Sequence, residues 1–209
     1  MNNYATKNGT IEFLNKFPHL GVTMLGDTEL SISQAGFGTY RISNDSNEHY
    51  DALKYAIQSG INIVETSSNY TDGGSELCVG RVLKDLFDEG FISRDQVVII
   101  SKAGYIQGQN LKQYTTSSFS EVVDLSDDLR HCIHPDFLSN QIDLSLNRLG
   151  LDCIDFYLLH NPEYYLTWAQ QNGMDLDEAR GSYYGRLEQA FEYLEYEVER
   201  GRIKSFGVS

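Results

Sequence analysis

Alternating strand and helix signals predict an α/β protein, with a parallel sheet covered by helices that is either doubly wound or closed as a barrel. Three observations carry this expectation. Four short segments rich in Val, Ile and aromatic residues read as buried strands, amphipathic stretches lie between them, and glycine or proline marks where those stretches begin and end. The chain has 209 residues, 41% apolar and 12% aromatic, enough for one core without disulfide or metal staples.

In chain order, residues 23–33 (TMLGDTELSIS) alternate around Gly26-Asp27, a hairpin signal placed to plug one end of a barrel. A weaker strand pattern covers residues 33–40. Residues 47–59 read as a helix stopped by Gly60, followed by a strand over 61–66. Ser75 is expected to cap a helix that carries Leu83, Leu86 and Phe87 and ends at Gly90, before a strand over 97–101. Pro135 opens a helix whose apolar face holds Leu138, Ile142 and Leu149, with Gly150 past its end and a strand over 153–160 beyond. Leu187, Phe191, Leu194 and Val198 stack on one face of a helix that leads into a strand over 203–209. Residues 103–134, Ser/Thr/Asp-rich and without helical period, and residues 161–184, aromatic with breaks at Gly173 and Gly181, read as long loops. Both follow the C-terminal ends of strands, where α/β folds place their sites.

Charge narrows the partners. Thirty Asp and Glu against sixteen Lys and Arg give −14, a field that repels phosphate backbones and anionic membrane surfaces, so neither nucleic acid nor membrane is an expected partner. Three cysteines (Cys78, Cys132 and Cys153) without a CxxC pair fit buried thiols in a reducing compartment. With no signal-peptide pattern and no apolar run of membrane-spanning length, a cytoplasmic protein is expected. GxGxxG, GxxxxGK[ST] and GxSxG are absent, and His131-Cys132-Ile133-His134 has no second ligand pair at zinc spacing, so no metal site is expected.

Chemistry gathers at the predicted strand ends: Glu65 and Tyr70 after the second, Lys102 after the third, His160 closing the fourth. Such a set suits proton transfer to a carbonyl. Tyrosine becomes a usable acid when an ammonium stabilises its phenolate, a carboxylate keeps that lysine charged and oriented, and a neutral histidine can hydrogen-bond the carbonyl oxygen.

At these same residues the sequence resembles the aldo-keto reductase family. Matching segments run through Met24-Leu25-Gly26, Gly36-Phe37-Gly38-Thr39, Gly60-Ile61-Asn62, Thr66, Tyr70, Ser101-Lys102, Leu149-Gly150, residues 155–160 and residues 201–209. The resemblance implies a (β/α)8 TIM-type barrel, here incomplete with the first five strands, preceded by the N-terminal β-hairpin. Residues 1–22 would then be an N-terminal extension and 23–209 a partial reductase domain. It implies hydride transfer between NADP(H) or NAD(H) and an aldehyde, ketone or sugar, with Tyr70 as proton donor, Lys102 its partner, His160 beside the carbonyl and Glu65 as the acid, a position where the family normally has aspartate. Gly38, Thr39, Tyr40, Glu65 and Ser209 fall where the cofactor is held. The alternative expectation is an inactive barrel remnant that binds without turnover, and open sheet edges would favour self-association.

Overall fold

The computed structural model describes residues 2–209. Its centre is a five-stranded parallel sheet of β3 (Phe37–Gly38), β4 (Ile63–Glu65), β5 (Val98–Ala103), β9 (Ile154–Leu159) and β10 (Ile203–Val208), each paired with its successor in that order. This is the strand order of a (β/α) barrel, and among the described residues β3 and β10 are each paired on one side. Helices α2 (Asn47–Gln58), α3 (Gly74–Asp88), α5 (Pro135–Leu149) and α7 (Leu176–Glu199) connect the strands. Their apolar faces meet Val64, Ile99, Tyr157 and Leu159 in the main core.

Capping explains where these helices lie. Ser46 accepts the His49 N–H at the start of α2, Pro135 occupies the first turn of α5, and Gly150 ends α5 in the left-handed region at φ 65°. Gly73, at φ 85°, caps α3 in place of Ser75, which lies inside the first turn and turns its hydroxyl toward Thr39. Helices α3 and α5 cross at Gly80, where a Cβ would come within 2.4 Å of the Arg148 carbonyl oxygen, so only glycine permits the approach.

The hairpin forms as expected from β1 (Val22–Met24) and β2 (Ser31–Ser33). Asn62, buried at the base of β4, accepts from the Ser33 N–H at 2.9 Å and donates to the Ser31 carbonyl at 3.1 Å, fixing the hairpin under the N-terminal ends of the strands. Ile32 packs there with Val98, Ala5, Ile63, Ile100 and Phe156. Helix α1 (Lys7–Leu14), in the segment preceding the hairpin, contributes Phe13 and Leu14 to the main core.

Three expectations are corrected. The strand over 33–40 contracts to Phe37–Gly38, because Ser33 belongs to the hairpin and spends its N–H on Asn62 and its hydroxyl on the Ala35 carbonyl. Residues 103–134 are not a loop: β6 (Tyr105–Ile106), β7 (Val123–Ser126) and β8 (Leu129–His131) form an antiparallel sheet, with the short helix α4 (Gly108–Gln113) between β6 and β7. Strands of two to four residues are too short to show alternation. Residues 161–184 hold α6 (Tyr164–Gln171) and the first turns of α7, which Asp175 caps by accepting from the Asp177 and Glu178 N–H groups. Helix α7 runs through Gly181 because the cost of a single helical glycine, about 1 kcal/mol, is small beside its packing.

Asp155 fastens the base of the sheet. Its carboxylate, 1% exposed, accepts from the Ala5 N–H at 2.6 Å, the Ile99 N–H at 2.7 Å and Arg94 at 2.8 Å. Asp155→Ala should therefore destabilise the fold by about 3–5 kcal/mol, since it strands a half-buried guanidinium and two N–H groups. Asp88→Ala, breaking the exposed Lys84–Asp88 pair, should change stability by less than about 0.5 kcal/mol. Urea denaturation of both variants checks the contrast.

Candidate active site

Parallel pairing in register brings the strand ends together. Gly38 ends β3 opposite Glu65, which ends β4; Lys102 lies near the end of β5 opposite Leu158; His160 follows β9 directly. Ser209 follows β10, where its N–H donates to the Leu159 carbonyl and its own carbonyl accepts from Asn161. Tyr70 sits on the turn after β4, where Thr71 and Asp72 both adopt left-handed backbone at φ 47° and 55°. Two hydrogen bonds hold that strained turn: Thr71 donates to the Ile42 carbonyl at 2.5 Å, and Asp72 accepts from the Gln109 N–H at 3.1 Å.

Lys102 is 4% exposed. Its ammonium contacts the Glu65 carboxylate, donates to the Thr66 carbonyl at 2.9 Å and lies 4.7 Å from the centre of the Tyr70 ring. Burial pushes its pKa down to about 8. The Tyr70 hydroxyl donates to Glu65 Oε1 at 3.2 Å. Burial, and then the neighbouring Tyr40, raise the Tyr70 pKa, so the phenol is held neutral. This differs from the expected phenolate-stabilising contact: the ammonium faces the ring, and the glutamate, one methylene longer than aspartate, takes the hydroxyl.

His160 is gripped on several sides. Its Nδ1 lies 3.1 Å from Ser67 Oγ, its carbonyl accepts from His131 Nε2 at 2.7 Å, and Tyr105 packs edge-on to its ring at 4.5 Å. Tyr105 in turn donates to Asn161 Oδ1 at 2.8 Å. Burial first, then the charges of Lys102 and His131, push the His160 pKa down to about 3. Burial holds His131 at about 4, so both rings are neutral. Gly104 is the tight point of this arrangement, since a Cβ there would stand 2.4 Å from the His160 carbonyl oxygen and 2.6 Å from His131 Nε2.

Glu65, Tyr70, Lys102 and His160 thus share one mouth. Tyr40, 65% exposed, packs against Tyr70 with ring centres 5.2 Å apart. Gly38 borders a hollow of about 320 Å³ lined also by Gln34, Phe37, Glu65 and Ile100. A Cβ on Gly38 would meet only Glu65 Oε2, at 3.6 Å, so the space above it is open to a flat ring. Thr39 is different: it is fully buried, donates to the Glu65 carbonyl at 2.9 Å and lies 2.6 Å from Ser75 Oγ, so its hydroxyl positions β4. Ser67 and Tyr105 escaped sequence reasoning, and His131 entered it only as part of a discounted zinc pair. Ser67 stands two residues after Glu65 and Tyr105 three after Lys102, which is the signal that could have found them.

A family model described as the Aldo/keto reductase family matches residues 34–209. Among curated proteins, the NADH-specific methylglyoxal reductase of Escherichia coli is 32% identical over 144 residues, covering 65% of this chain and 40% of that protein. Aldo-keto reductase YhdN of Bacillus subtilis is 23% identical, covering 90% of this chain and 46% of its own length. The chain therefore spans less than half the length of these relatives. An aldo-keto reductase of Bacillus halodurans, solved in its holo form, shares the fold with TM-score 0.65 at 21% identity, over 91% of this chain and 50% of that one.

Histidines buried neutral give stability that is lost in acid. The unfolded chain binds a proton at His131 near pH 6.5 but the folded chain only near 4, so stability falls as pH drops through this window. Against His131→Gln, the wild-type unfolding free energy should decline more steeply there, by up to about 1.4 kcal/mol per pH unit. Urea titrations at pH 4.5, 5.5 and 6.5 measure the difference.

Proposed function

The chain belongs to the Aldo/keto reductase family, and on that premise we propose that its mouth reduces the carbonyl of an aldehyde, ketone or sugar in the cytoplasm. The observation that carries this reading is the contact of Tyr70, Glu65 and Lys102 beside a neutral His160 at the sheet's C-terminal end. NAD(P)H, when bound, supplies the hydride. Gly38, Tyr40, Glu65 and Ser209 are the residues to hold it, consistent with the open space over Gly38.

Tyr70 gives its hydroxyl proton to the carbonyl oxygen as the carbonyl carbon becomes tetrahedral. The phenol is kept protonated by burial, and rotation about its C–O bond turns the proton from Glu65 Oε1 to the substrate. The phenolate left behind is stabilised through space by the Lys102 ammonium, 4.7 Å from the ring centre, which Glu65 and the Thr66 carbonyl hold in place. Among the described residues His160 is held through Nδ1, 3.1 Å from Ser67 Oγ.

A second reading, binding without turnover, draws on the fact that the Tyr70 hydroxyl and the Lys102 ammonium both engage Glu65. Self-association through β3 and β10, each paired on one side among the described residues, accompanies either reading.

Tyr70→Phe should lower carbonyl reduction by about 10²–10⁴-fold while leaving NAD(P)H binding, followed by nicotinamide fluorescence, unchanged. Unchanged turnover would remove Tyr70 from the reaction. Glu65→Asp should hold or raise the rate by withdrawing the carboxylate from the Tyr70 hydroxyl, whereas Glu65→Ala should lose it. Binding without turnover in the wild type and in Glu65→Asp alike would favour the second reading.

A further inference from the structure

The seam between β5 and β9 reaches the mouth with one backbone group still to satisfy. His160 donates its N–H to the Ala103 carbonyl at 2.8 Å, the last rung of that ladder. In a parallel pair the next rung would bring the N–H of residue 105 to the His160 carbonyl. The chain leaves the sheet at Gly104 and enters β6, where Tyr105 lies opposite His131 of β8. Cys132 donates its N–H to the Gly104 carbonyl at 2.9 Å, which makes Tyr105 and His131 a pair without ladder bonds between them, the kind whose side chains stand closest. Their rings are 5.7 Å apart and nearly perpendicular, with the Tyr164 ring 6.0 Å from the imidazole. From this place His131, 2% exposed, meets the His160 carbonyl through Nε2 at 2.7 Å. A carbonyl oxygen only accepts, so the imidazole N–H is the donor.

We infer that His131 is a positioning residue for the reaction: its imidazole N–H takes the place of the next ladder rung and so sets where the His160 ring stands relative to Tyr70. The word reaction rests on the reductase reading above; the placement of His160 does not. The carbonyl that His131 holds is the point where β9 ends, because Asn161, next in the chain, is left-handed at φ 49°. Without a donor that peptide can rotate, and the His160 ring turns with it. The ring meets Tyr70 edge-on with centres 5.9 Å apart, a contact that such a rotation opens. A side chain from the added sheet thus does for the mouth what a strand does for the rest of the seam.

Two variants separate the hydrogen bond from the packing. Both His131→Gln and His131→Leu lose the ring, but the glutamine amide can still donate and the leucine cannot. In the full chain labelled with ¹⁵N-histidine, the His131 and His160 signals are assigned by their loss in His131→Gln and His160→Gln. His131 should carry its proton on Nε2, unchanged from about pH 8 to 5.5, since burial keeps the ring neutral down to about 4. The His160 signals should hold in His131→Gln and move in His131→Leu. With propanal and NADPH, below the unfolding transition of each variant, kcat should fall about ten- to hundredfold in His131→Leu, the scale of a misplacement near 1 Å, and stay within about threefold in His131→Gln. NADPH affinity, read by fluorescence, should stay level in both. An unchanged kcat with unmoved His160 signals in folded His131→Leu, or equal losses in the two variants, overturns the inference. So does a wild-type His131 proton on Nδ1, a result that needs no variant carrying leucine to fold. A wild type without turnover removes the reductase reading and leaves the His160 signals to decide the placement.

Discussion

An ammonium group cannot be removed from water without partners, and the mouth of this sheet is built around that requirement. Lys102 reaches the end of β5 nearly enclosed, and two acceptors meet it: the Glu65 carboxylate from the neighbouring strand and the Thr66 carbonyl just beyond it. Each of the other site residues takes its place from this pair. The Tyr70 hydroxyl points at the same carboxylate, and the positive charge, together with burial, keeps His160 neutral. Because β4 and β5 are paired in register, the distance between glutamate and lysine is set by the backbone ladder.

The same arrangement recurs away from the mouth. Asp155 meets Arg94 at the base of the sheet, Glu76 meets Arg148 and Ser101 between α3, α5 and β5, and Glu197 meets Arg202 where α7 turns into β10. Asp155 and Glu76 cross-link elements distant in sequence, and Glu197 fixes the turn from α7 into β10. Leaving any of these charges alone would cost several kcal/mol. Four arginines, Arg94, Arg148, Arg200 and Arg202, are thus placed where acids are buried.

Much of this was legible in the sequence because local chemistry and the global fold agree. Gly60, Pro135 and Gly150 punctuate helices for backbone reasons that hold in any context, and the apolar run over residues 97–101 has no stable place outside a covered sheet. Glu65, Lys102 and His160 could be grouped because parallel strands align their ends. What was hidden depends on contacts across long stretches of chain. The sheet of β6, β7 and β8 is made of strands too short for periodicity, and His131 becomes a partner of His160 only through that pairing. Ser67 is marked only by its place two residues after Glu65, since two of its three contacts, to the Lys102 carbonyl and His160, come from distant segments.

Gly104 closes the joint between the central sheet and the added one, with the His160 carbonyl and the His131 ring pressed against its Cα. It carries no functional group and needs no special backbone angle. In a saturation screen scored for activity, this position would nevertheless stand out beside the reacting side chains, since alanine alone is wide enough to wedge the two histidines apart. Such a signal would report a spacing rather than a chemistry, and a survey of natural variants would meet intolerance at 104 where inspection of side chains alone would find nothing to lose.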